Sequence, residues 1–187
     1  MVAVRVLEGP FTVEDYYRLA ELGILRPDDR VELINGQVVQ MSPIGALHAG
    51  RVNYLTKALV TLVGDAGVVT VQNPVTLEPR SQPQPDLLIA RPRAEFYGKT
   101  LPPPADVLLV IEVSDSSVEY DRDVKVPLYA RTGIPEIWLC NLPGDVLEVY
   151  REPGPDGYRD IRVLRRGESV SALRLPVVTL PVADVLG

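Results

Sequence analysis

Residues 85–133, PDLLIARPRAEFYGKTLPPPADVLLVIEVSDSSVEYDRDVKVPLYARTG, decide how the rest of the chain is read. They hold two apolar runs of strand length, and each carries one carboxylate where an apolar residue would be expected. Asp86 opens the first run, and Glu112 follows the unbroken Val107, Leu108, Leu109, Val110 and Ile111 of the second. Five aliphatic residues in succession suit a strand covered on both faces, which puts Glu112 at the end of a central strand. A carboxylate buried there without a partner is strongly unfavourable. The available partners are the other acid, through a shared metal, or a nearby cation such as Lys125. Side chains alternate along a strand, so Glu112 and Ser114 share a face and Val113 points away. If Asp86 and Glu112 lie on adjacent strands, their backbones are about 4.8 Å apart. Two carboxylates at ~4 Å repel by ~4 kcal/mol at an effective dielectric of about 20. Either one of them holds a proton or a divalent cation bridges them. Oxygen ligands suit a hard ion, Mg²⁺ or Mn²⁺, which takes one or two carboxylates together with water and substrate phosphate.

These residues resemble a known pattern. A Pro-Asp pair followed by a strand ending in Glu-x-(Lys) is similar to the PD-(D/E)xK nuclease superfamily, with its restriction-endonuclease-like fold. The text IEVSDSS…YDRDVKVPLYARTGIPEIWLCN resembles the Uma-type endonuclease family within it, and the likeness extends upstream to RVELINGQVVQMSP and His48, covering roughly residues 12–150. The order of the Pro-Asp and Glu-x-Ser pairs with Lys125, Tyr129, Gly133 and Trp138 makes the match specific. Ser114 stands where many members of the superfamily carry their lysine, and the resemblance implies that Lys125, on the following helix, replaces it. It further implies a metal held by Asp86, Glu112 and the Val113 backbone carbonyl. Glu32 is the candidate for a second ion, and His48, Arg51 and Tyr129 are candidates for contacts to substrate phosphate.

Composition narrows the alternatives. A chain of 187 residues suits one domain, 1–187, with a sizeable core. The net charge of −6 argues against a broad basic surface for nucleic acid, though not against a local cationic groove, since 16 of the 19 basic residues are arginine. The single cysteine, Cys140, excludes an intrachain disulfide and points to a reducing, cytoplasmic location. One His and one Cys are too few for a catalytic zinc or a Cys-His nucleophile. The start, MVAVRVLEGPF, reads as no secretory leader, and no apolar run approaches the ~18 residues of a membrane span.

The flanking elements follow in chain order. Thr12 is placed to cap a helix over 13–23 that ends at Gly23. RVELINGQVVQM, with Asn35-Gly36 at its centre, predicts a two-residue hairpin. Val31, Leu33 and Val39 are expected on its inward face, and Glu32 shares the other with Ile34. Glu32 is then either a solvent-facing strand residue or a further acid at the cleft. Residues 45–63 predict a helix packed through Leu47, Val52, Leu55, Leu59 and Leu62 and stopped by Gly64, with His48 and Arg51 a turn apart near its start. VVTVQNPVTLEP predicts a bent strand or a hairpin, 67–72 and 74–78, antiparallel to the Asp86 strand; Gln72 is either an edge residue or near the cleft. Arg91, Arg93 and Lys99 lie in a loop, either solvated or touching nucleic-acid backbone. Ser116 and Glu119 have capping-box spacing for a helix reaching Arg131, with Gly133 beyond it and Pro127 forcing a late start or a kink. An ordinary surface pair with Asp121 is the plain reading of Lys125. PEIWLCN is a strand, LEVYRE and YRDIRVL form a hairpin, SVSALRLPVVTLP gives one extended piece, and VADVLG docks a last apolar patch.

The expected fold is α/β, restriction-endonuclease-like, with a mixed and mostly antiparallel sheet flanked by helices. The expected function is Mg²⁺- or Mn²⁺-dependent hydrolysis of phosphodiester bonds in DNA, with Asp86, Glu112 and Lys125 as catalytic residues. The alternatives are a catalytically silent nuclease-fold scaffold or interaction protein, and a metal-dependent phosphohydrolase of small nucleotides. Strand edges in the C-terminal third suit a homodimer.

Overall fold

The computed structural model describes residues 4–7 and 9–187; of the leaderless reading of residues 1–11, positions 1–3 and 8 lie outside the described residues. The aliphatic run becomes β6 (Val107–Ser114), buried at every position. It lies inside a six-stranded sheet ordered β4 (Val68–Val71), β5 (Leu87–Ala90), β6, β7 (Glu136–Asn141), β8 (Val146–Gly154) and β9 (Gly157–Leu164). Every neighbour is antiparallel except β6 and β7, which run parallel. A parallel pair needs a crossover, and residues 115–135 supply it, laying a helical segment over one face of the sheet.

Alternation along the strands divides the core in two. Leu87, Ile89, Leu109, Ile111, Trp138 and Cys140 face α2 (Ala46–Val63), while Leu88, Val110, Ile137 and Leu139 pack with the crossover residues Val126, Leu128 and Tyr129. The helix α2 seats Val52, Leu55, Leu59 and Val63 in the first of these cores; Leu62 is only partly buried there, and Leu47 is exposed, against expectation. Leu47 falls in the first turn of the helix, outside that core.

The early elements behave as the sequence suggests, with one exception. Thr12 and Asp15 close a reciprocal capping box on α1 (Val13–Glu21). Asn35 and Gly36, at φ 52° and 77°, turn β2 (Val31–Ile34) into β3 (Gln37–Gln40), and β3 also pairs with β1 (Val4–Leu7). The register Leu33–Val38 and Glu32–Val39 places Val38 with Val31 and Leu33, and Val39 with Ile34 in the crossover core. The expected inward position of Val39 is therefore corrected: this hairpin is buried on both faces, not one.

The crossover carries the main irregularity. It starts as α3 (Val118–Tyr120), widens into a π turn over Asp121–Lys125, and continues as α4 (Val126–Arg131). The Val126 N–H reaches back five residues to Asp121 O. Pro127 explains the widening: its ring would clash with a carbonyl one α-turn earlier, and it has no N–H to offer there. The helix begins at Val118, so Ser117, not Ser116, takes the cap position, and its hydroxyl turns to Asp121 instead of closing a capping box. Gly133, at φ 80°, ends α4 with bonds from Gly133 N to Ala130 O and from Ile134 N to Tyr129 O, a Schellman motif.

Residues 74–78 run extended without a named strand, held through Val75 N to Pro83 O and Leu77 N to Ser81 O. The expected single C-terminal piece is instead a second hairpin, β10 (Ser169–Ala172) and β11 (Leu175–Pro181), because Leu173-Arg174 turns the chain. The final helix α5 (Val182–Leu186) buries Val182, Val185 and Leu186 beside α2. No helix of the described residues is long and apolar enough to cross a membrane.

Gly36 and Gly133 share a left-handed backbone, but only Gly36 is crowded, since an added Cβ would meet Pro10 Cα at 3.2 Å. Gly133→Ala should cost about 1 kcal/mol from the left-handed conformation alone. Gly36→Ala should cost clearly more, as the ordering of the two urea midpoints will report.

Candidate active site

The register Leu87–Ile111 between β5 and β6 sets Asp86 opposite Glu112, one step further along. The two acids interlock their strands. Val113 N donates to Asp86 Oδ2 at 2.9 Å, and Asp86 N approaches Glu112 Oε2 at 3.4 Å. Each carboxylate thus holds the backbone of the other's strand, which fixes both heads at the same end of the sheet.

Lys125 enters from the π turn and is only 5% exposed. Its Nζ lies 3.2 Å from Glu32 Oε2, 3.5 Å from Glu112 Oε1 and 3.8 Å from Asp121 Oδ1. The π turn explains why one face serves this purpose. An α-helix turns about 100° per residue, so residues 121 and 129 would diverge; a wider turn rotates less per residue and returns Asp121, Lys125 and Tyr129 to a common side. Asp121 is further held by the hydroxyls of Ser114 and Ser117, each at 2.6 Å. Ser114, at the place of the in-line lysine, is therefore fully occupied with orienting an acid. Asp121 does pair with Lys125, as the plain reading expected, but inside the protein rather than on its surface.

The other candidates divide. Glu32 is 3% exposed, which settles its two readings: it faces Lys125 and accepts from Gln84 N at 3.1 Å. His48, from the first turn of α2, brings Nε2 to 3.0 Å from Asp86 Oδ1 without hydrogen-bond alignment, leaving that buried nitrogen without a bonding partner. Tyr129 is fully buried and donates to Glu112 Oε1 at 2.7 Å; it orients a carboxylate and does not reach the cleft, which corrects its expected contact to substrate. Arg51 also departs from expectation. Its guanidinium stacks 5.3 Å from the Tyr54 ring centroid and points to the Asp184 carbonyl, away from the acids, because a step of three residues along α2 turns it toward α5. Gln72, at a left-handed φ of 52°, donates Nε2 to Asp86 Oδ1 at 3.3 Å. In the loop, Arg93 is engaged with Asp106 at 2.6 Å.

Sequence reasoning did not single out Gln84, Ser117 or Tyr120. The Tyr120 hydroxyl is buried in the cleft wall without a hydrogen-bond partner. Its one available signal was its place beside Asp121 on the crossover helix. Gln84, Ser117 and Tyr120 line an open cleft with Glu32, His48, Asp86, Glu112 and Lys125.

Electrostatics follow from four carboxyl groups sharing one ammonium. Burial raises Glu112 to about 8; Lys125 pulls it down, while Asp121 and Asp86 add to the rise. Burial likewise raises Glu32 against the pull of Lys125. Burial would raise Asp86 too, but His48, the Val113 N–H and Lys125 outweigh it and hold this acid below its usual value. Two neighbouring acids pushed in opposite directions share one proton more easily than they lose both. Burial opposes the charge of Lys125, yet Glu112, Glu32, Asp121 and Asp86 together hold it well above the usual lysine value. It is an ammonium at neutral pH.

A hard divalent cation fits this donor set on its chemistry, which is carboxylate oxygen with excess negative charge and a single imidazole. Among the described residues no three His, Cys, Asp or Glu side chains stand together as a ready cage. An ion here would draw on two carboxylates plus backbone, water and substrate oxygen, as Mg²⁺ commonly does.

A mixed sheet with its acids at one strand end and a helix-borne ammonium above them defines a nuclease-type α/β fold. A crystal structure described as a "putative nuclease belonging to DUF820", from Anabaena variabilis ATCC 29413, shares that fold at a TM-score of 0.72, with 15% identity over 95% of this chain and 98% of the other. The model of the Uma2 family, described as "Putative restriction endonuclease", matches residues 13–183, and the chain belongs to that family. No curated protein matches it.

In metal-free protein the proton on Glu112 should be visible in stability. Its folded value of about 8 exceeds the ordinary 4.5, so its contribution is complete below pH 4.5 and is lost as pH rises toward 8. Glu32, raised as well, adds in the same direction. Urea unfolding in EDTA should show stability falling across that window, and Glu112→Gln should flatten the slope. Lys125→Met, which strands the surrounding acids, should cost about 3–5 kcal/mol at neutral pH.

Proposed function

We propose that this protein hydrolyses phosphodiester bonds in DNA with the help of Mg²⁺ or Mn²⁺. The observation that carries the reading is the cleft itself, where Glu32, Glu112 and Asp121 lie within 4 Å of a single ammonium and Asp86 stands beside Glu112. Membership in the Uma2 family supports a nucleic-acid substrate. Asp86, Glu112 and the Val113 carbonyl would hold the ion. When bound, the ion supplies an acidified water and neutralises charge on the phosphorane.

The chain's own groups do the rest. Lys125 remains protonated, so it stabilises charge developing on the phosphate and does not serve as the base. Glu32 and Asp121 fix the direction of its amine, and Tyr129 fixes Glu112. Glu32 thereby acts as an anchor for Lys125, a role that competes with holding a second ion. His48 keeps Asp86 ionised, with its Nε2 3.0 Å from Asp86 Oδ1. Ser114 does not weaken this reading, because the amine absent from its position is restored, at 3.5 Å from Glu112, by the crossover helix.

Labelled duplex and single-stranded DNA incubated with Mg²⁺ or Mn²⁺ should be cut, and EDTA should abolish cutting. Asp86→Ala should fall to background, and Lys125→Met should lose roughly 10²–10³-fold in rate while still binding Mn²⁺. Equal activity in wild type and Asp86→Ala would overturn the reading in favour of a silent scaffold, which calorimetry would mark by the lack of Mn²⁺ binding dependent on both acids.

A further inference from the structure

The six-stranded sheet ends on one side at β9. Eight residues long, it is twice the length of β4 at the opposite edge; α4 packs against β9 much as α2 packs against β4, with Tyr158 of β9 buried and donating to the Ile134 carbonyl. Two aliphatic side chains stand out on β9, Ile161 and Val163, which are 56% and 52% exposed. They share a face with Tyr150 and Glu148, their cross-strand partners on β8. On the other face Arg162 pairs with Asp160 at 3.0 and 3.1 Å. A long edge strand to which no further strand is paired among the described residues is a template for another strand, and the charges on this one are arranged about a centre.

We propose that β9 pairs antiparallel with β9 of a second copy of this chain, Ile161 facing Ile161 across a two-fold axis. The register follows from two constraints. On an edge strand alternate residues turn their N–H and C=O outward, so a symmetric pairing joins residues of like parity. That leaves centres at Asp160, Ile161 or Arg162 in the middle of the strand. A centre at Asp160 sets two carboxylates against each other, and a centre at Arg162 sets two guanidinium groups together; like charges directly opposed are destabilising. The centre at Ile161 alone places Asp160 of each copy opposite Arg162 of the other, twice. It also joins the two Ile161 side chains on one face and lays the stem of Arg159 along Val163 of the other copy. The two sheets then continue across the axis, which removes this edge from solvent in both copies.

Sedimentation equilibrium over a concentration series up to about 100 µM tests the proposal by mass action. The wild type should dimerise, and Asp160→Arg and Arg162→Asp should each weaken dimerisation by about tenfold or more. The double variant Asp160→Arg/Arg162→Asp restores opposite charges in the same register and should recover the dimer. Ile161→Lys, at an exposed position that leaves the fold intact, should abolish it. A wild type that stays monomeric throughout overturns the proposal, as does a dimer indifferent to Ile161→Lys or a double variant no better than the single ones. Because the Arg162–Asp160 pair also exists within one strand, melting at the lowest concentration separates its local effect, which does not vary with concentration.

Discussion

One ammonium holds the centre of this protein together. Lys125 lies within 4 Å of three buried carboxyl groups, and a fourth, Asp86, adds to the field that keeps it charged. A lone buried lysine tends to shed its proton, and lone buried acids tend to gain one. Here the ammonium stays charged because several acids surround it, while the surplus of acid pushes Glu112 and Glu32 upward. The ammonium is what allows so many acids to be buried together.

The fold serves that arrangement through a few backbone decisions. The β5–β6 register brings Asp86 and Glu112 level, and their interlocking bonds to each other's strands keep them so. The parallel step from β6 to β7 obliges the chain to cross over the sheet, and the crossing helix delivers Lys125 onto the acids. Pro127 then shapes the helix: the π turn before it aligns Asp121, Lys125 and Tyr129 along one side. A proline that looks disruptive in isolation is thus part of how the site is assembled. The β2–β3 hairpin closes the arrangement by carrying Glu32 to Lys125 from the far side.

Much of this was legible in the sequence wherever a local rule applied. Asn35-Gly36 announced its turn, the aliphatic run before Glu112 announced a central strand, and Thr12 announced a helix start. The intruding acids were conspicuous because each broke an apolar run. What stayed hidden depended on partners far along the chain. Glu32 alternates like a solvent-facing strand residue, and only the crossover covering its face turns it inward. Arg51 looked equivalent to His48, a turn away, yet the step of three residues rotates it toward α5. Tyr129 was correctly placed near the strand ends, but its complete burial could not be read from one helix alone. Val39 was assigned to the wrong layer because a hairpin buried on both faces gives no polar side by which to judge.

The distances in sequence among these groups carry a consequence of their own. Where an acid and its lysine lie two residues apart on one strand, half of a centre exists as soon as that strand forms. In this chain only Asp121 and Lys125 are neighbours on one helical turn; Glu32, Asp86 and Glu112 join them through contacts distant in sequence, which carry a cost in loop closure. A ribosome emitting the chain from its N-terminus would have released all four acids before the lysine and its helix could settle on them. The cluster of acids around the ammonium is therefore complete only once the crossover helix has docked on the sheet.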